Sequence, residues 1–227
     1  MSYRLELQPV DPGAHDISGC LTPEEKRQYF SFRFDKRRRE WLAGRLAAKR
    51  LVRKLIEESG LLMSENEIAI EKTEAGAPYV KARPAHWPLS ISHSGEWAAA
   101  AIMDGHRPAA IGVDIEKIEE RDRSWIEIAF DPAEQAEKID KSEQTLLWTR
   151  KEAVSKLLGI GLSADLRDIR FPTPDRTLEL HGKAKAAWEA IGRPTISFDS
   201  PPVCPGYALS IAYSAPSKDR KEVLHGR

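Results

Sequence analysis

The chain has 227 residues, of which 41% are apolar and 31% charged, the make-up of a globular protein; disordered and fibrous architectures are excluded. Thirty-five basic and thirty-five acidic residues cancel. No apolar run approaches the roughly 18 residues that cross a bilayer, and Arg4 and Glu6 stand where a signal peptide would need an apolar core, so a cytoplasmic chain without membrane contact is expected. Cys20 and Cys204 have no Cys or His at metal-ligand spacing and read as free thiols in a reducing compartment.

Along the chain, Arg38 to Glu58 has apolar residues close to helical periodicity and predicts a long amphipathic helix with Arg38, Arg45 and Lys49 along one polar face. After the Ser59-Gly60 stop, Glu67 to Glu71 and Pro78 to Lys81 read as short strands. Leu89 to Ser92 and Glu96 to Met103 read as strands around His93-Ser94-Gly95, with alanines that let another element pack closely. Ile111 to Glu116 alternates strictly and predicts a strand with Asp114 and Glu116 on one side. Ser124 to Ile139 is helical but broken at Pro132. A long helix is expected from about Ser142 to Leu158, closing at Gly159 and Gly161. Asp168 to Phe171, Thr177 to Leu180, a helix Lys183 to Ile191, Thr195 to Phe198 and a strand Tyr207 to Tyr213 follow; the last dozen residues read as loose. The halves share an order of elements, with Leu89 to Ser92 matching Ala208 to Ile211, which reads as a degenerate duplication.

The neutral total hides an asymmetry. Between Lys26 and Lys54 twelve Lys or Arg face only Asp35 and Glu40, whereas between Asp114 and Glu143 eleven acids face five bases. Solvated helix faces would give the same counts; an anion site and a cation site would also. Asp114 and Glu116, about 6 to 7 Å apart on one strand face, could share a magnesium ion, or could decorate an exposed edge strand. In Trp148-Thr-Arg-Lys151-Glu152-Ala-Val-Ser-Lys156, Glu152 and Lys156 sit one turn apart, the spacing of the commonest surface pair on helices, but with a Trp before and a Gly-x-Gly exit after. Ser90-Ile-Ser92-His93-Ser94-Gly95 is either a hydrogen-bonded turn or a phosphate contact. No Walker loop, dinucleotide fingerprint or nucleophile elbow is present.

In this order and spacing, Ile111-Gly-Val-Asp-Ile-Glu116 and Trp148-Thr-Arg-Lys-Glu-Ala-Val-Ser-Lys156 resemble the two signature motifs of the 4′-phosphopantetheinyl transferases, of the larger two-lobed type that activates surfactin synthetase. Ser90-Ile-Ser-His-Ser94, Trp41-Leu-Ala-Gly-Arg45, and Ala129-Phe130 with Glu134 support the resemblance, which spans roughly residues 20 to 215. It implies an α+β fold of two similar α/β lobes, residues 1–108 and 109–227, related by a pseudo-twofold axis with the active site in the cleft between them. It also implies transfer of the phosphopantetheine arm of coenzyme A to a serine of an acyl or peptidyl carrier protein, leaving adenosine 3′,5′-bisphosphate.

By the same resemblance, Asp114, Glu116 and Glu152 hold magnesium. Lys156, with Lys151, contacts the pyrophosphate; Ser92 and His93 contact coenzyme A phosphates; and Arg37 or Arg38, with Arg45, reaches the 3′-phosphate. Asp114 is counted with the coenzyme-binding residues through that ion, Glu152 or a water on the ion is the base, and Lys156 completes the catalytic pair. Where many relatives carry Gly-Lys-Pro, this chain has Gly76-Ala77-Pro78, and either Lys72 or another Arg is expected to substitute, or the affinity for coenzyme A to be lower. The carrier is expected to dock near Trp125 to Phe130 on a monomeric enzyme. Two rival readings are another magnesium-dependent nucleotide or phosphate enzyme, and a nucleic-acid-binding module, which would use the basic stretch but give the carboxylates no role.

Overall fold

The computed structural model describes residues 3–10, 17–74, 76–81, 87–103, 110–161 and 165–215. Alternation in Tyr-Arg-Leu-Glu-Leu-Gln-Pro makes β1 (Tyr3–Pro9), an element the periodicity reading overlooked. A short helix α1 (Ile17–Cys20) precedes α2 (Pro23–Ser31), which opens on a capping box: the Thr22 hydroxyl accepts from the Glu25 amide and the Glu25 carboxylate accepts from the Thr22 amide. Helix α3 (Asp35–Glu58) starts three residues before the expected Arg38. A ribbon of β2 (Ala69–Lys72) and β3 (Pro78–Lys81) leads to β4 (Leu89–Ser94) and β5 (Trp97–Met103).

Strand β6 (Ala110–Lys117) begins the second half. Helix α4 (Arg123–Ala129) ends before Pro132, which cannot donate to a continuing helix, and two single 3₁₀ turns carry the chain to α5 (Lys141–Leu157). The Asp140 side chain caps α5 by accepting from the Ser142 and Glu143 amides. Strands β7 (Ile169–Arg170) and β8 (Glu179–Leu180), helix α6 (Gly182–Ala190), β9 (Thr195–Asp199) and β10 (Tyr207–Ala215) complete it. The expected loose C-terminus, residues 216–227, lies outside the described residues.

The sheet orders are β1-β5-β4 and β6-β10-β9, both antiparallel. Each half therefore pairs its first strand with its last, its last with its next to last, and inserts a long helix and a two-stranded ribbon between. This wiring matches β4 with β9 and β5 with β10. It corrects the alignment of Leu89–Ser92 with Ala208–Ile211, which share serines but occupy different places in the winding.

Helices and sheets stack in four layers. Helix α3 covers one face of the first sheet through Ala47, Ala48, Leu51, Val52 and Leu55 against Ala100 and Ile102. The opposite face, Ala99, Ala101 and Met103, packs on Ile111, Val113, Ile115, Leu209 and Ile211 of the second sheet. Helix α5 closes the far side with Ala153, Val154 and Leu157 near Ala212. The alanines of β5 serve both neighbours at once, since each side must accept a close layer.

The halves also share a buried ion pair. Lys49 of α3 meets the capping glutamate Glu25 at 2.5 Å and donates to the Glu65 and Ile68 carbonyls. Lys151 of α5 meets the capping glutamate Glu134 at 2.5 Å and donates to the Ala129 carbonyl. Glu25 also accepts from the Ile70 amide and Glu134 from the Phe171 amide, so each pair ties helix, preceding turn and ribbon together. Removing one partner of such a pair costs about 3 to 5 kcal/mol because the other charge stays buried. Arg45 and Lys49 are 3% and 0% exposed, which corrects the expected polar face: these cations lie inside the packing.

At Gly112 the helix lies so close to the strand that an added Cβ would come within 1.9 Å of the Ala153 carbonyl oxygen and 2.7 Å of the Leu157 amide nitrogen. Gly44 is tight only against a side-chain atom, Ile91 Cγ2, at 2.8 Å. Gly112→Ala is expected to destabilise by about 3 kcal/mol or more and Gly44→Ala by about 1 kcal/mol in urea unfolding. Equal small losses would show that α5 shifts freely over β6.

Candidate active site

Strand β6 turns Gly112, Asp114 and Glu116 toward α5, because alternate residues share a face. Asp114 is only 2% exposed. Its Oδ1 accepts from Lys156 Nζ at 2.7 Å and from Ser92 Oγ at 2.7 Å, whereas Oδ2 is buried with no hydrogen-bond partner. Lys156 Nζ also donates to Ser92 Oγ at 2.9 Å and to the Val113 carbonyl at 3.0 Å. Glu116 accepts from Ser94 Oγ at 2.8 Å and has Arg121 at 3.8 Å. Burial first, and then the Asp114 charge, push the Glu116 carboxyl up to about 7. Glu152, one turn before Lys156, is raised by the same two causes in the same order.

A second pocket lies between α3 and the β2–β3 ribbon, lined by Arg37, Trp41, Arg45, Lys72 and His93. The Arg45 guanidinium stacks on the Trp41 ring at 5.1 Å, and its Nη1 is buried without a partner. Burial lowers the Lys72 pKa, and the Arg45 and Arg37 charges lower it further, the mark of cations crowded together in a pocket that Glu40 also lines. Arg37 Nη1 lies 2.9 Å from His93 Nε2; since a guanidinium only donates, that nitrogen accepts and the imidazole is neutral, with its other nitrogen 3.8 Å from Glu40. Burial lowers the His93 pKa, in keeping with that form. A neighbouring groove shares Gly76, Pro78 and Ile91 with this pocket and runs on to Lys156 and Gly159.

Asp114, Glu116, Glu152, Lys156 and Ser92 are thus brought together, and Arg37, Arg45, Lys72 and His93 line a separate pocket, with the groove that borders it reaching Lys156. Three expectations need correction. Lys151 is fully buried against Glu134, so its ammonium is spent inside the fold and not in the cleft. Arg38 donates to the Phe32 carbonyl at 2.9 Å and stacks on Tyr29, away from the pocket that Arg37 lines. Ser92 gives its hydroxyl proton to Asp114, which takes that proton away from a coenzyme phosphate. In the proposed docking segment, Phe130 is 4% exposed and belongs to the core, under the Lys151 ammonium at 4.7 Å, and Trp125 packs on Trp148 at 5.0 Å; the exposed apolar residue is Ile128, at 71%. The sequence reading missed Glu40 as a pocket residue, the stacking of Arg45 on Trp41, a residue quoted only as part of a motif, and the carboxylate contact of Ser94.

Residues 110–211 match the family described as the 4′-phosphopantetheinyl transferase superfamily, and residues 6–104 match 4′-phosphopantetheinyl transferase, N-terminal. The chain is 38% identical over 87 residues to holo-[acyl-carrier-protein] synthase of Bacillus subtilis, covering 37% of this chain and 71% of that protein. It is 35% identical over 172 residues to L-aminoadipate-semialdehyde dehydrogenase-phosphopantetheinyl transferase of Schizosaccharomyces pombe, covering 66% and 63%. To phosphopantetheinyl transferase of Thraustochytrium sp. it is 28% identical over 183 residues, covering 72% and 61%. The chain therefore spans less than two thirds of these last two relatives.

The raised Glu116 carboxyl has a consequence for stability. In the unfolded chain it titrates near 4.5 and in the folded chain near 7, so the folded state holds the extra proton between these values and stability falls as pH rises through them. In EDTA, wild type minus Glu116→Gln should lose up to about 3 kcal/mol in unfolding free energy between pH 5 and pH 7.5. A difference independent of pH would refute the buried, charge-crowded environment of Glu116.

Proposed function

The chain belongs to the 4′-phosphopantetheinyl transferase superfamily, and on that premise we propose that its cleft moves the phosphopantetheine arm of coenzyme A onto a serine of an apo acyl or peptidyl carrier protein. The serine oxygen bonds to the phosphorus that carries the pantetheine, the bond to the other phosphate of the pyrophosphate breaks, and adenosine 3′,5′-bisphosphate leaves. The observation that carries the reading is the buried, partnerless Oδ2 of Asp114 among acidic groups, in the same molecule as a basic pocket where Arg45 Nη1 is also buried without a partner. The acidic groups suit a cation with a pyrophosphate, the basic pocket an isolated phosphate.

Among the described residues no three carboxylate, imidazole or thiol groups are gathered as a ready metal cage. Magnesium needs only one or two carboxylates, completing its shell with waters and substrate phosphates, and the bare Asp114 oxygen with Glu116 and Glu152 nearby fits that demand. When bound, it would neutralise pyrophosphate charge. Lys156, whose three protons go to Asp114, Ser92 and the Val113 carbonyl, turns one of them to the charge that develops on the phosphoryl oxygens. Glu152 makes no hydrogen bond among the described residues, and its raised pKa suits it to take the serine proton. Arg45, Arg37 and Lys72 hold the 3′-phosphate, with Lys72 in place of the cation missing at Ala77. His93, in contact with Arg37, stands between the phosphate seats.

The carrier docks over α4, where Ile128 is the exposed apolar contact. Lobes of residues 1–108 and 109–227 suit the two sheets, although residues 104–109 lie outside the described set. No helix among the described residues is long and apolar enough to cross a membrane, and the reading assigns a cytoplasmic monomer. The nucleic-acid alternative is disfavoured because Arg45 and Lys49 are buried, which interrupts the basic stretch as a continuous surface.

Apo carrier proteins incubated with the protein, magnesium and coenzyme A should gain the phosphopantetheine mass. Asp114→Ala and Glu152→Gln should abolish the gain, with Glu116→Ala slowing it. Hydrolysis of a nucleotide with no carrier modified would instead favour the rival phosphate enzyme. Arg45→Ala should raise the KM for coenzyme A about ten- to hundredfold and leave that for 3′-dephospho-coenzyme A nearly unchanged. Equal losses on both substrates would take the 3′-phosphate away from Arg45.

A further inference from the structure

Three serines on β4 point toward β6, and their hydroxyls do different work. Ser90 Oγ accepts from the Val113 amide at 3.0 Å, a contact with backbone alone. Ser92 Oγ accepts from Lys156 Nζ at 2.9 Å and donates to Asp114 Oδ1 at 2.7 Å. Ser94 Oγ accepts from the Lys117 amide at 3.2 Å and donates to Glu116 Oε2 at 2.8 Å.

A hydroxyl has one proton to give. At Ser92 and Ser94 a neighbouring N–H occupies the acceptor side, so the proton is directed at one carboxylate oxygen. The effect is sharpest at Asp114: both donors, Ser92 and Lys156, fall on Oδ1, and Oδ2 is left bare although buried. Lys156 alone could follow the carboxylate if it turned about its last bond, because the ammonium sits on a long flexible stem. The short Ser92 side chain on a paired strand cannot. Ser92 is 7% exposed, so water has little access to take over its role.

We infer that Ser92 and Ser94 are positioning residues, through which the first sheet orients the two β6 carboxylates of the second so that they present free oxygens to a divalent cation. The cation seat is then complete only across the seam between the sheets. This rests on the proposed metal site at Asp114 and Glu116. Residues that orient metal ligands in this way affect metal affinity about ten- to hundredfold when lost.

The test uses Mn²⁺ as the probe, with its free fraction read by electron paramagnetic resonance in the presence of the full chain and coenzyme A, alongside thermal unfolding. Ser92→Ala and Ser94→Ala should each weaken Mn²⁺ binding about tenfold, and Ser92→Thr, which keeps the hydroxyl, should restore it. Ser90→Ala breaks the same seam without touching a carboxylate, so it should lower Tm and leave Mn²⁺ affinity at the wild-type value. Wild-type affinity in both Ser92→Ala and Ser94→Ala overturns the inference and leaves the metal site standing. An equal loss in Ser90→Ala also overturns it, since the seam as a whole and not the two hydroxyls would then matter. Absence of Mn²⁺ binding by the wild-type chain removes the metal site and the inference together. Ser94 is only half-buried, which keeps the comparison readable if Ser92→Ala does not fold.

Discussion

The approach of α5 to β6 at Gly112 sets the geometry of the cleft. With the Ala153 carbonyl where a side chain would be, the helix backbone rides directly on the strand. Glu152 and Lys156 are then carried over Asp114 with no intervening layer, and an ammonium can reach a carboxylate, a hydroxyl and a carbonyl at once. Burial first, and then closeness to the Asp114 charge, makes this setting costly for the ionised acids and pushes the Glu116 and Glu152 carboxyls up. The buried pair of Lys151 and Glu134 secures the same helix from its other side.

The two halves use one scaffold for opposite charges. Both pair a buried lysine of a long helix with a capping glutamate, and both wind three strands in the same order. What differs is the charge each half gathers. The first half sets Arg37, Arg45 and Lys72 around one pocket, which Glu40 also lines, and the second crowds Asp114, Glu116 and Glu152 where α5 rides on β6. The neutral sum of the chain thus contains two clusters of opposite predominant sign, as the uneven distribution of charge along the sequence suggested.

Periodicity made the long helices and the strand β6 legible, because each buries one face over many residues. The acidic pair on β6 and the Glu152-Lys156 pair on α5 could be named from spacing and resemblance. The burial of Lys151 and Lys49 could not be read from their type, but their positions carried a signal: Lys151 falls in register with Leu147 and Val154, and Lys49 with Leu42, Val52 and Ile56. A lysine in an apolar stripe calls for a buried partner, and the capping glutamates supply it. Arg37 and Arg38 were indistinguishable in sequence, since which of two adjacent side chains enters a pocket depends on the strand opposite. β1 was overlooked because its seven residues pair with β5, some ninety positions away, and make no local pattern beyond alternation.

The hydroxyls of β4 have one more effect, on how the molecule behaves among its own kind. β4 and β6 are edge strands of their sheets, and an open edge offers backbone groups on which a foreign strand can pair. Here the Val113 and Lys117 amides are taken by Ser90 and Ser94. Two edges that would otherwise invite aggregation are turned against each other and joined through side chains. At this junction the Val113 and Lys117 amides of β6 are thereby withdrawn as a template for intermolecular sheet growth.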